Sequence, residues 1–216
     1  MALALRDYQV TFTREETIAE LALRWRQAAS IENVSEFNIV WFVQEVLAKR
    51  LTKKGPLHFD FYDMKPGDEP AFVTFQPLTL HIDHEVWQLA YLGDPLARFI
   101  VAHEVGHLVL HDHHAKAFSD ESRVNIKFAT KECSAEWQAN TFASHFLLPD
   151  HIVLAYNDAA ELARSCSVTT QLASERLEEA TEARKPRPKF DGGFCIVCGN
   201  FTRRQNGSIE CTTCGS

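Results

Sequence analysis

The chain has 216 residues, 45% of them hydrophobic, which allows one substantial core and one small additional module. No apolar run reaches membrane-spanning length, and the N-terminal stretch MALALRDYQVTFTREE meets charges at Arg6, Asp7 and Arg14. The expectation is therefore a soluble, cytoplasmic protein with no secretory signal and no membrane partner. The formal charge of −7 is uneven: residues 1–183 carry 16 basic and 27 acidic side chains, and 184–216 carry six basic and two acidic. Such a tail points to an anionic partner, although a basic linker docked on an acidic body would give the same pattern.

In chain order, Ile18, Leu21, Ala22, Trp25 and Ala28 recur at helical spacing and predict a helix from Glu15 to Ala29. A second runs from about Glu36 to Lys49, with Val40, Phe42, Val43, Val46 and Leu47 apolar. Three short runs at 57–62, 71–75 and 78–82, separated by Pro and Gly, read as a small, mostly antiparallel sheet. A helix near His84 to Tyr91 follows, then one opening at Asp94 with Pro95 in its first turn, then a polar loop over about 112–130. A helix from about Lys131 to Leu147, ended by Pro149, leads into short helices. The fold class is α+β. Residues 1–183 form the main domain, 184–194 a basic, Pro-containing linker, and 195–216 a separate module.

The stretch VAHEVGHLVLHDHH, at 101–114, begins with the pattern HExxH. On a helix His103 and His107, four apart, leave from one face and can reach a single zinc ion, with Glu104 beside them as a general base for water. The flanks are apolar, so this trio is costly to bury unless something pairs with it. A catalytic zinc commonly takes three protein ligands. His113, six residues after His107, has the metzincin spacing. Against it, Leu110 stands where that pattern has Gly, and both methionines, Met1 and Met64, lie upstream. Glu136, on the next helix, would complete a His-His-Glu set, with the two helices antiparallel. Asn140, one turn on, is placed to hold a ligand by a hydrogen bond. Glu132 is the fallback, its plainer reading being a solvated first-turn charge.

RFIVAHEVGHLVLH followed by EWQANTFASHFLLP resembles the ImmA/IrrE family of zinc metallopeptidases, which join a HExxH helix to a downstream helix of the form E-x-[EQ]-A-N-x-F-A-x-x-L-L-x-P. Glu136, Gln138, Ala139, Asn140, Phe142, Ala143, Leu147 and Pro149 match the second motif, and Leu148 stands in place of a frequent Met. The likeness covers about residues 15–182 and is strongest from 98 to 149. It implies a zincin-like metallopeptidase domain with His103, His107 and Glu136 as ligands and Glu104 as base. It also implies a substrate: a helix-turn-helix repressor, cut after DNA damage or another stress to release mobile-element or defence genes. The late segment LARSCSVTTQLASERL could itself pass for a helix-turn-helix, but is read as a packing or substrate-docking element.

For the oxyanion, His81, His84, His111, His113, His114 and Tyr156 are open choices, and PLTLHID at 77–83 is the expected exposed strand edge for an extended substrate. His111 continues the row of His107 but lies about 6 Å further along the axis, so it reads as a supporting or capping residue. Cys133, one turn before Glu136, is a possible inhibitory zinc ligand, its plainer reading a buried small hydrophobe; Cys166 is expected to pack. In the tail, Cys195, Cys198, Cys211 and Cys214 form two CxxC pairs twelve residues apart, each followed by Gly, the pattern of a zinc ribbon with a structural ion. The expected content is two Zn2+ per chain, one catalytic and one structural. Arg203 and Arg204, between the knuckles, are candidate contacts to single-stranded DNA as an activator, with a protein-docking ribbon as the alternative.

Overall fold

A computed structural model describes residues 7–51, 54–112, 130–184, 202–205 and 208–211. Helix α1, Glu15–Ala28, turns Ile18, Ala22 and Arg26 inward. Helix α2 is capped by Asn38, whose side chain accepts from the Trp41 amide; it runs α-helically over Ile39–Trp41, as a π-helix over Phe42–Leu47 and α-helically again over Ala48–Arg50. The wider π turn still places Phe42, Val43, Val46 and Leu47 in the core.

The sheet holds β1 (His58–Tyr62), β2 (Ala71–Phe75) and β3 (Leu78–Asp83) in the order β1-β3-β2. β2 pairs antiparallel with β3, but β1 pairs parallel with it, from His58 opposite Thr79 to Tyr62 opposite Asp83. The sheet is thus mixed, where a mostly antiparallel one was expected. The reason lies in β3, buried at Leu78, Thr79, Leu80, Ile82 and Asp83: the most buried strand takes the centre, and the mostly exposed β1 takes an edge. The stretch 77–83 therefore carries a central strand and is not the exposed edge read from the sequence; the edges are β1 and β2.

Asp83 caps α3 (His84–Tyr91) through the Glu85 and Val86 amides, and Asp94 caps α4 (Pro95–Leu110) through those of Leu96 and Ala97. Helix α4 is buried from Val101 to Leu108. The expected polar loop falls almost wholly outside the described residues. The next helix does not start at Lys131: a 3-10 turn covers Lys131–Cys133, and Ser134 accepts from the Trp137 amide to open α5, Ala135–Leu147. A serine hydroxyl offered to the backbone favours a cap over a helix interior.

Helix α5 packs against both α4 and α1. The contacts His103 to Asn140, Gly106 to Ala139 and His107 to Glu136 run in opposite chain directions, so α4 and α5 are antiparallel. Phe37, Phe42, Phe142 and Phe146 form an aromatic core beneath them. Then come α6 (Asp150–Val153), α7 (Ala159–Cys166) and α8 (Thr170–Arg184). Leu162, Ala163, Cys166, Val168, Leu172 and Ala173 are all buried, and Arg98 donates to the Cys166 and Ser167 carbonyls of the α7–α8 turn. This segment is a packing element, and Cys166 packs within it.

The chain divides into two units, Met1–Ala180 and Thr181–Ser216. Within the second, β4 (Thr202–Gln205) and β5 (Ser208–Cys211) pair antiparallel, with Arg203 opposite Glu210 and Arg204 opposite Ile209. Cys195, Cys198 and Cys214 lie outside the described residues. Among the described residues no helix is long and apolar enough to cross a membrane.

Candidate metal centre

Helix α4 presents His103 and His107 from one face, both buried, and α5 brings Glu136 up to them. The two Nε2 atoms lie 3.0 Å apart, with Glu136 Oε2 3.2 Å from His103 Nε2 and Oε1 3.3 Å from His107 Nε2. One donor atom from each residue falls within 4.8 Å of the others, the one such cluster of three or more His, Cys, Asp or Glu among the described residues. The close approach of the helices depends on Gly106, where a Cβ would stand 2.9 Å from Ala139 Cα.

Each imidazole is engaged on its far side. His103 Nδ1 lies 2.9 Å from Asn140 Oδ1, and His107 Nδ1 lies 3.0 Å from His111 Nδ1. Asn140, one turn beyond Glu136, thus meets the His103 ring on the side away from the cluster. The 3.2 Å contact of Glu136 Oε2 with His103 is not aligned as a hydrogen bond, and that oxygen, like Glu104 Oε2, is buried without a hydrogen-bond partner. Convergent imidazole nitrogens and orphaned carboxylate oxygens are what a bound cation would satisfy, and the N2O donor set suits zinc.

The electrostatics agree. Burial alone would raise the Glu136 carboxyl, yet the two imidazoles override it and hold it down at about 2. Burial opposes the charged form of His103, but Glu136 and Glu104 outweigh it and raise its pKa. The field that favours a proton at this point favours any cation. Glu104 is shifted up, chiefly by burial and only partly countered by His107 and His103. Burial and the neighbouring His107 push His111 down to about 3, so it stays neutral.

A cleft of about 620 Å3 opens from the cluster. Tyr8, the β2 residues Ala71, Phe72, Val73 and Phe75, and Glu104 all line it. Tyr8 stacks on the His107 ring at 6.3 Å, and its hydroxyl is held protonated by burial and by Glu136 and Glu104. Asp7 accepts from the Glu136 amide and, at 2.6 Å, from the Ser134 hydroxyl, tying down the start of α5. Neither Asp7 nor Tyr8 carries a sequence signal for this role; they come from the opposite end of the chain.

Other residues singled out from the sequence fall elsewhere. Glu132 has an exposed carboxylate and Cys133 a half-buried thiol, and neither joins the cluster or lines the cleft. His81 is taken up by Asp60 at 2.7 Å and Thr74 at 3.0 Å, and His84 stacks on Phe61. Tyr156 packs against the core. His113 and His114 lie outside the described residues.

Residues 90–178 match the family model of Peptidase_M78, an IrrE N-terminal-like domain. No curated protein matches the chain. The matched segment spans α4 and α5, and with them His103, Glu104, His107, Glu136 and Asn140. The match over these residues supports the ImmA/IrrE family of metallopeptidases.

Proposed function

We propose that the protein is a zinc-dependent endopeptidase that cleaves a partner helix-turn-helix repressor in response to DNA damage or stress, in the cytoplasm. The observation that carries the catalytic part is Glu104, a buried carboxylate with an unpartnered oxygen beside the His103, His107 and Glu136 cluster and facing the cleft. A purely structural metal site has no use for such a base. The choice of substrate rests on the family resemblance.

His103, His107 and Glu136 would hold the ion, with Asn140 orienting His103. A bound zinc supplies Lewis-acid polarisation of a peptide carbonyl and acidification of water. The remaining work falls to the chain. Glu104 takes the proton of the attacking water and delivers it to the departing amine, and its burial makes it a stronger base than an exposed glutamate. Tyr8 offers a neutral O–H donor in the cleft wall. Among the described residues β2 pairs only with β3, so its other edge is suited to an extended substrate segment.

For the tail, the proposal is a second, structural zinc on Cys195, Cys198, Cys211 and Cys214, with Arg203 and Arg204 contacting single-stranded DNA as activator. It is supported by the antiparallel β4–β5 pair, which follows the first CxxC and ends on Cys211 of the second, and by the excess of basic over acidic residues in 184–216. The same charge supports the second reading, a nucleic-acid- or protein-binding regulator with an inactive metal site. Co-expression with a helix-turn-helix regulator encoded beside the gene separates the two. The peptidase cuts it and Glu104→Gln does not; equal cutting by both, or none by either, overturns the proposal.

A further inference from the structure

Behind His107 a buried chain of side chains leads away from the cleft. His107 Nδ1 meets His111 Nδ1 at 3.0 Å, His111 Nε2 meets Gln138 Oε1 at 3.2 Å, and Gln138 Nε2 donates to the carbonyls of Thr11 at 2.8 Å and Glu132 at 2.7 Å. His111 and Gln138 are 3% and 2% exposed, and both bonds of His111 are buried, while those from Gln138 to the two carbonyls are part-buried.

We propose that His111 and Gln138 are positioning residues that set the tautomer of His107, and with it the lone pair offered to the metal. The inference rests on the zinc reading above. The direction of every bond follows from the far end. A carbonyl only accepts, so the two carbonyls require the NH2 group of Gln138 and turn its oxygen toward His111. That oxygen also only accepts, so His111 must carry its proton on Nε2. His111 Nδ1 is then an acceptor, and the bond from His107 runs as Nδ1–H donating to it. His107 is left with a bare Nε2, the atom that faces His103 and Glu136.

The reverse order fails at two points. A proton on His111 Nδ1 would be given to His107 Nδ1, forcing the His107 proton onto Nε2, where a metal must bind. His111 Nε2 would then point its lone pair at Gln138 Oε1, and flipping the amide to relieve this would set that oxygen against the Thr11 and Glu132 carbonyls. The polarity is therefore built into two backbone carbonyls, one ahead of α1 and one ahead of α5. No charge moves in the relay; it selects one neutral form over another.

Long-range 15N–1H spectra of the imidazoles in the full-length protein test this directly. In the wild type His111 shows Nε2–H and His107 Nδ1–H, with and without zinc; a proton on His111 Nδ1 overturns the proposal without any variant. Chelator competition for zinc, followed at the His103 and His107 resonances so that the tail cysteines do not interfere, gives the second readout. Gln138→Leu and His111→Leu weaken zinc binding about ten- to a hundredfold. His111→Asn, whose Oδ1 can stand where Nδ1 stood and accept from His107, recovers most of it. Unchanged affinity in both leucine variants rejects the relay. A wild type that binds no zinc at these histidines removes the metal reading itself.

Discussion

Gly106 and Ala139 set the distance between the two helices that make the metal cluster. A Cβ on Gly106 would meet Ala139 Cα at 2.9 Å, its carbonyl oxygen at 3.0 Å and its Cβ at 3.3 Å, and the first two are backbone atoms that cannot rotate aside. Gly106→Ala must therefore push α5 from α4, and Glu136 travels with α5 away from His103 and His107. The expected cost is about 1–3 kcal/mol of stability, with a clear loss of zinc affinity. Thermal melting and metal analysis of the purified variant check both; full zinc occupancy with an unchanged melt would show that the helices are free to separate.

The third ligand is tested by comparing two substitutions. Glu136 contacts both imidazoles and is held charged at about 2, so Glu136→Ala leaves two histidines with no anionic partner and should empty the site. His113→Ala should leave zinc content as it is, because the cluster of His103, His107 and Glu136 is complete without it. Metal content of the two variants with the tail cysteines intact decides the matter, and the reverse pattern would reassign the ligand.

Local signals made several helices legible: Asp94 before Pro95 and the 3.6-residue spacing in α1 hold in the structure, while the Asp83 and Ser134 caps emerged only there. The clustering of His103, His107 and Glu136 was legible because the two histidines share a helix face and Glu136 sits in a recognisable second motif. Strand order was not. The spacing of three short runs says nothing of which takes the centre; burial of β3 decides that, and it places β1 parallel to β3. Asp7 and Tyr8 could not be found either, because their role comes from a segment near the N-terminus lying along residues 132–136, with Val10 donating to the Cys133 carbonyl and Ala135 to that of Tyr8. A contact spanning more than a hundred residues leaves no periodicity behind.

Arg26 is fully buried without a carboxylate partner among its hydrogen bonds. Its guanidinium donates to the carbonyls of Phe146 at 2.7 Å, Ile31 at 2.9 Å and Val34, closing the end of α1 onto the end of α5. Burial, with the nearby Arg98 adding to it, lowers its pKa to about 10, so it is still charged at neutral pH. Arg26→Met keeps the volume but removes the donor of the buried Phe146 carbonyl and of the Val34 carbonyl, while that of Ile31 keeps only the Val34 amide. A loss of about 3–5 kcal/mol follows, measurable by urea unfolding. A loss below about 1 kcal/mol would mean that water reaches those carbonyls.

His145 makes the fold sensitive to acid. It is buried on α5, its Nδ1 3.0 Å from Arg176 and 3.8 Å from Asp150, its Nε2 3.4 Å from Glu15, with Glu179 nearby on Arg176. Burial, then the Arg176 charge, hold its pKa well below the ordinary histidine value, and Asp150 and Glu179 only partly offset them. Nδ1 must be unprotonated to accept from Arg176, so the native state keeps the neutral ring. Above the ordinary value near 6.5 both folded and unfolded chains carry neutral histidine, and the group adds no pH dependence. As pH falls below it, the unfolded chain takes up a proton that the folded one refuses, and stability drops by about 1.4 kcal/mol per pH unit until the folded pKa is reached. Urea unfolding at about pH 7.5 and about pH 5.5 should show this slope in the wild type and a shallower one in His145→Gln, which keeps an acceptor for Arg176 but cannot titrate. Equal slopes in the two proteins would assign the acid sensitivity to other groups.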